Sequence, residues 1–287
     1  MKKIFLAIIL SLIFTNSVFA GPLELPREPF YLPVLMYHQI SEKSNRLGEY
    51  VISPKEFEDD LKLLKELGYE TITTADLIKY AESGYRKVPE KAIMITFDDG
   101  YLSDYIYAFP LLEKYEMKAV FAVVGQYADI YSVENADKNI NYAHTSWSEM
   151  AEMNKSDFVE FISHSNDMHN LKKRRGALKK KKESEADYIQ ALECDIIALK
   201  SKFEEHFNEA PVSFACPFGN FNNKLKEILK DNEFKVILTS EQKNNILKGE
   251  EDELFDINRI VRNHGMNLEK LINKLESQKK NSNGNGA

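Results

Sequence analysis

Two rhythms of apolar residues alternate along the chain. Unbroken apolar runs of four to six residues, such as Ala92-Ile93-Met94-Ile95 and residues 119–124, read as buried strands. Segments with an apolar residue every third or fourth position read as helices. The clearest is 54–68, where Phe57, Leu61, Leu64 and Leu67 share one face and Gly68 supplies the stop. Further strands are expected at 33–38, 69–72, 158–162, 212–216, 235–239 and 257–260. Further helices are expected at 75–81, 147–153, 186–207, 225–232 and 268–275. Residues 104–115 also carry a helical pattern, with Pro110 predicting a kink or the true start. Strands that alternate with helices imply a mainly parallel sheet, and the fold class is α/β.

The polar candidates fall after strands: His38, the pair Asp98 and Asp99, His164, and Pro217-Phe218-Gly219. In barrel-type α/β folds the active site lies at the C-terminal ends of the strands, so separate segments place polar groups on one face. Thr96-Phe97-Asp98-Asp99-Gly100-Tyr101 is the most informative stretch. Two carboxylates side by side at the end of a buried strand repel when ionised and are costly to leave unpaired. The pair is accounted for if one carboxylate binds a cation and the other handles protons. His164 and His169, five positions apart after a strand, complete with one Asp a ligand set suited to a catalytic zinc. An Asp-Asp-Gly turn without a metal is the bland alternative.

Composition narrows the setting. The 287 residues are 43% hydrophobic, enough for one large α/β domain or two small ones. Residues 1–20 have the form of a signal peptide: Lys2 and Lys3, an apolar stretch over 4–14, and Val18-Phe19-Ala20 before the expected cleavage point. The expected protein is exported, periplasmic or secreted, without a transmembrane segment after cleavage. A net charge of −7 argues against nucleic acid as partner. Cys194 and Cys216 are the two cysteines, and spacing leaves open whether they pair. The basic run at 172–183 reads first as a solvated loop or helix face, with contact to an anionic polymer or membrane as the functional alternative. Residues 277–287 form a polar tail expected to be disordered.

TFDDG, then His-Ser-x-x-x-His, then a strand ending in Pro-Phe-Gly, resembles the NodB-homology polysaccharide deacetylases, carbohydrate esterase family 4. The resemblance runs over about 33–275, so residues 21–276 are expected to form one deacetylase domain, a distorted (β/α) barrel with seven strands. The early Val34-Leu35-Met36-Tyr37-His38, the five-residue histidine spacing and a third motif reading Phe214-Ala215-Cys216-Pro217-Phe218-Gly219 resemble the exported poly-β-1,6-N-acetylglucosamine deacetylases of biofilm matrix.

The resemblance implies roles. Asp99, His164 and His169 would hold the metal, Zn2+ first, with Ni2+ or Co2+ also admitted. Asp98 would be the general base and His38 the acid. The Phe218 backbone N–H would bind the oxyanion, and Pro217, Gly219 and Tyr101 would line the substrate groove. The Arg that usually opens the third motif and supports the base is replaced by Ala215, and Arg259 in the last strand is the candidate substitute. The expected substrate is an acetylated polysaccharide; peptidoglycan, chitin-type oligomers or a mere carbohydrate-binding role are the alternatives. His264 is a rival to His38. His144 and His206 read as surface or connecting residues, Trp147 as a core anchor, and Phe221 as a groove or barrel-mouth aromatic.

Overall fold

The computed structural model describes residues 29–83, 87–170, 174–248, 250 and 252–284. The signal segment 1–20, Lys172 and Lys173 lie outside these residues. Seven parallel strands form the main sheet: β1 (Val34–Tyr37), β2 (Ala92–Phe97), β3 (Ala119–Val123), β4 (Val159–Ser163), β5 (Ser213–Ala215), β6 (Val236–Leu238) and β7 (Ile260–Val261). Their spatial order is β6-β5-β4-β3-β2-β1-β7, and Glu70–Thr71 adds a short eighth strand beside the start of β2.

The sheet curls towards closure. The last segment pairs with β1 through Ile260 and Leu35 and also bridges β6 through Ile257 and Leu238. Thr239 N–H donates to the Ile257 carbonyl at 2.8 Å, and Ile257 N–H to that of Ile237 at 2.9 Å. The result is the distorted (β/α) barrel expected from the sequence.

Strand parity sorts the core. Val34, Met94, Val120, Ala122, Ile162, Ala215, Val236, Leu238 and Ile257 form one buried cluster, contributed by the sheet strands and filling the barrel. The alternate residues Leu35, Tyr37, Ile93, Ile95, Phe97 and Phe121 pack outward against Phe57, Leu61 and Leu64 of α1 (Pro54–Glu66). With both faces covered, β2 is apolar along its length, as parallel strands are. The same parity carries Met94 and Thr96 inward, and next in step comes Asp98 at the mouth.

Local chemistry sets the helix ends. Capping boxes start α1 at Ser53 and Glu56, α2 (Thr74–Glu82) at Thr73 and Asp76, and α5 (Trp147–Met153) at Ser146 and Glu149. Residues 104–115 are not one helix. Asp104–Ala108 is a wide π turn, and α3 (Phe109–Tyr115) begins with Pro110 in its first turn, where a missing N–H costs nothing.

The helix α4 (Gly125–Ser132) has no sequence signal: its N-cap is Val124, with no side-chain cap. The N–H groups of Gly125 and Gln126 bond instead to the carbonyls of Ser165 and Asn166, a tertiary cap. The remaining helices are α6 (Glu185–Phe207), α7 (Asn223–Asp231) and α8 (Leu268–Gly284). Helix α8 continues beyond residue 275 into the stretch read as a tail. Among the described residues no helix is long and apolar enough to cross a membrane.

Candidate active site

Asp98 and Asp99 leave β2 in different directions. Asp98 keeps strand parity and faces the barrel. Asp99 takes a left-handed φ of 72°, which turns its side chain away from that of its neighbour. The Asp99 carbonyl is bonded at 2.9 Å to Nδ1 of His144, which fixes the turned peptide.

Asp98 meets Arg259. Nη1 donates to Oδ1 at 2.6 Å and Nη2 to Oδ2 at 2.8 Å, a bidentate fork between two buried side chains. Nε of Arg259 donates to the Thr239 carbonyl at 2.9 Å, so the guanidinium is itself held from behind. Burial alone would raise the Asp98 carboxyl. The Arg259 charge, with His164 and the Arg259 hydrogen bonds adding, holds it well below the usual carboxylate range. Arg259 just precedes β7 and reaches Asp98 across the barrel mouth.

Asp99 meets two imidazoles. Its Oδ1 lies 3.6 Å from Nε2 of His164 and 3.3 Å from Nε2 of His169. One ligand atom from each of the three residues falls within 4.8 Å of the others. Oδ1 of Asp99 is buried and has no hydrogen-bond partner among the described residues. A carboxylate oxygen stranded between two ring nitrogens fits a divalent cation at their centre. His164 is oriented by the Ala215 carbonyl at 2.9 Å on Nδ1, the orienting contact expected of a ligating histidine. Burial pulls its imidazole down to about 4, so at neutral pH the ring is uncharged and its Nε2 is free to bind a metal.

A cleft of ≈ 550 Å³ opens over these groups. His38, Tyr50, Glu49 and Gln39 line one side, Phe218, Gly219 and Arg175 the other, with Tyr101 also in the wall. His38 Nδ1 is buried without a partner among the described residues, and the ring of Tyr50, 48% exposed, meets the His38 ring edge-on at 4.7 Å. Phe218 adopts φ 58° and stacks on His169 at 4.2 Å. Gly219 also has positive φ and no room for a side chain: a Cβ there would lie 1.7 Å from Oγ of Ser240. Tyr101 stacks on His144 at 4.7 Å, and burial with the charges of Asp99 and Asp104 pushes its phenol above the ordinary value. Pro217 is buried and, contrary to expectation, is not among the residues that line the cleft.

Several sequence expectations need correction. His144 is no connecting residue, since it packs among Tyr101, Tyr127 and Tyr131 while bonding Asp99. The basic run is not a uniformly solvated face. Arg174 is buried and paired with Glu183, because it also satisfies the Leu178 carbonyl at 3.0 Å. Arg175 lies over the Phe218 ring at 5.3 Å and lines the cleft. His264, expected at the surface, is exposed there and away from the cleft, bonded to Glu56 at 2.9 Å. Phe221 packs against the cluster around Phe214 and Leu225 rather than lining the cleft. Trp147 is the buried anchor expected from the sequence, and its indole donates to Asp129 at 2.9 Å. Cys194 is exposed, Cys216 is buried, and both are free thiols.

Tyr50 and Glu49 were missed because exposed loop residues carry no periodic signal, and Arg175 because its strand is only two residues long. His144 had only its aromatic surroundings to betray it, and these assemble in three dimensions.

The family model described as polysaccharide deacetylase matches residues 85–237, more than half of the chain. The chain belongs to the polysaccharide deacetylase family. The deacetylase is 28% identical over 228 residues to the poly-beta-1,6-N-acetyl-D-glucosamine N-deacetylase of Staphylococcus aureus, covering 79% of this chain and 73% of the relative. Its fold matches that of the Streptococcus pyogenes deacetylase PplD in complex with acetate, with a TM-score of 0.71 and 22% identity over 86% of this chain and 99% of that one. IcaB from Ammonifex degensii matches with a TM-score of 0.65 and 24% identity, covering 82% of this chain and 93% of the other.

Proposed function

We propose that this deacetylase is an exported, metal-dependent hydrolase of N-acetyl groups on N-acetylglucosamine units of a polysaccharide, with poly-β-1,6-N-acetylglucosamine as substrate. The observation that carries the reading is the division of two adjacent carboxylates: Asp98 is paired with Arg259, and Asp99 is left facing His164 and His169. The relative in Staphylococcus aureus supports the choice of polymer, and the form of residues 1–20 supports export.

Asp99, His164 and His169 would hold the ion, with Zn2+ the best match to one carboxylate and two imidazoles. When bound, such an ion polarises the acetyl carbonyl and makes a nearby water more acidic. Asp98 accepts the proton of the attacking water at a carboxylate oxygen, kept ionised until then by the Arg259 fork. The oxygen of that water bonds to the acetyl carbon. The backbone N–H of Phe218 donates to the carbonyl oxygen as its charge grows, a contribution of about 2.7–4 kcal/mol where it is well aimed. His38, on the other wall, gives its proton to the amine nitrogen as the C–N bond breaks. Acetic acid and the free amine leave, the acid ionising to acetate in solvent, while Asp98 gives up its proton and His38 regains one. The exposed ring of Tyr50 offers a sugar face a place to pack beside that nitrogen.

The exposed Arg175 at the mouth favours a second reading, a glycan bearing carboxylates such as peptidoglycan. Acetate release by residues 21–287, stripped of metal and assayed with and without zinc, separates these possibilities. Release from β-1,6-linked oligomers that requires zinc and disappears in Asp98→Asn supports the first reading. Release from peptidoglycan alone supports the second. Release that persists undiminished after metal removal ends the metal-dependent proposal.

A further inference from the structure

The metal histidines are joined by a four-residue turn, Ser165, Asn166, Asp167 and Met168, and its backbone N–H groups can be accounted for one by one. Ser165 N–H donates to the Ser163 hydroxyl at 3.3 Å, and Met168 N–H to the Ser165 hydroxyl at 3.1 Å. The two in the middle have no local acceptor. Asn166 N–H donates to Oδ2 of Asp195 at 2.7 Å, and Asp167 N–H to Oδ1 of the same carboxylate at 2.7 Å.

Asp195 is a buried acid on the inward face of α6, in step with Tyr188, Leu192, Ile196, Leu199 and Phe203. An acid is an unfavourable occupant of an apolar helix face unless it has dedicated donors. Its two oxygens are matched by two parallel N–H groups, the geometry in which charge-assisted bonds are strongest. The turn is fixed on its other side as well. The N–H groups of Gly125 and Gln126 hold the carbonyls of Ser165 and Asn166 at 3.1 and 2.9 Å, and Lys202 Nζ reaches Asn166 Oδ1 at 2.5 Å. Ser165 takes a left-handed φ of 75°, a conformation that needs such support. Without Asp195 two half-buried donors would lose their acceptors in the segment that sets the spacing of His164 and His169.

We propose that Asp195 is a positioning residue for the metal centre: it pre-forms the turn between the two ligand histidines, so that the three-residue site exists before the ion arrives. The inference rests on the metal-binding reading above. It goes beyond that reading in assigning a task to a side chain of α6 that never touches the ion.

The test is zinc affinity, measured by competition with a chromophoric chelator on the purified metal-free protein. Asp195→Asn keeps the shape but turns an amide N–H₂ toward one of the two backbone donors. The variant is expected to remain folded by circular dichroism and to bind zinc about tenfold to a hundredfold more weakly. Its acetate release should recover at least in part when zinc is raised in proportion. Unchanged zinc affinity in a folded variant overturns the proposal, whereas a wild-type protein that binds no zinc overturns the metal reading instead. Should Asp195→Asn fail to fold, amide hydrogen exchange on the wild-type protein decides. Protection of the Asn166 and Asp167 amides without zinc supports a pre-formed turn, and exchange at the rate of open chain until zinc is added refutes it.

Discussion

Arg259 offers the sharpest test of the site, because one substitution separates its two consequences. Arg259→Met removes the fork at 2.6 and 2.8 Å from Asp98 and leaves a buried carboxylate without a counter-charge. Breaking such a buried pair costs about 3–5 kcal/mol, a large share of the roughly 5–15 kcal/mol that holds a domain together. The variant can escape part of that cost by protonating Asp98. With the guanidinium gone, burial is unopposed by its largest lowering influence and the carboxyl moves upward. A protonated Asp98 cannot accept a proton from water, so the acid limb of the pH–activity profile should move to higher pH.

Arg259→Lys tests the geometry apart from the charge. A single ammonium can replace one of the two bonds. Loss of one charged hydrogen bond, about 1.5–3 kcal/mol, predicts a fall of roughly tenfold to a hundredfold in kcat/KM. The assay is acetate release from N-acetylglucosamine oligomers between pH 5 and 9 at saturating zinc, with folding checked by circular dichroism. A folded Arg259→Met protein with wild-type kcat/KM and an unmoved acid limb would refute the base-support role.

Two further predictions concern stability. Burial pushes the Glu56 carboxyl up, but the N–H groups of Gly265 and Ser53, the His264 ring and the Ser53 hydroxyl together hold it down to about 2, from 4.5. Its stabilisation is complete above pH 4.5 and is lost as pH falls from there towards 2; discounted for its partial exposure it amounts to about 1–2 kcal/mol. Thermal melts of Glu56→Gln from pH 2.5 to 7 should show a flatter acid side than wild type, and parallel curves would count against the linkage. Gly219→Ala meets both a φ of +65° and Oγ of Ser240 at 1.7 Å, so the Pro-Phe-Gly turn must shift, with about 1–2 kcal/mol from the backbone alone. Activity should fall sharply, and Ser240→Gly in the same chain should restore part of it; no recovery would mean that the clash is not the cause.

Much of the barrel was legible because its cause is local. Apolar runs with both faces buried mark β2 and β3, and capping boxes at Ser53, Thr73 and Ser146 mark helix starts. The helix α4 was not legible, since its cap comes from carbonyls of Ser165 and Asn166, some forty residues onward. Asp195 was invisible for a related reason. In sequence it is one more acid in a mixed helix, and its meaning lies in two N–H groups of a turn 28 and 29 residues away. Arg175 was hidden inside a run of like charges whose members turn out to face different surroundings: Arg174 the protein interior, Arg175 the cleft. Arg259 could be singled out because a cation among apolar neighbours at a strand has to be paired with something.

The neighbouring carboxylates that made the sequence hard to explain are reconciled by backbone geometry. Parity places Asp98 inside the barrel, where Arg259 converts it into a neutral pair. A single left-handed residue, Asp99, breaks the alternation and directs the second carboxylate elsewhere. Had Asp99 continued the strand, its side chain would have joined Phe97 on the outer, aromatic-packed face, and an acid there would have had no partner. Around Asp99 the balance is different: one carboxylate, one imidazole held uncharged by burial and a second imidazole in reach, with no hydrogen-bond partner at Oδ1 among the described residues. That leaves an unpartnered carboxylate oxygen among converging ligand atoms, which is the form of a divalent-ion site. Asp98 and Asp99 cannot exchange tasks for the same electrostatic reason. Moving Arg259 toward Asp99 would neutralise the ligand set and strand the base, so both assignments stand or fall with the fork on Asp98.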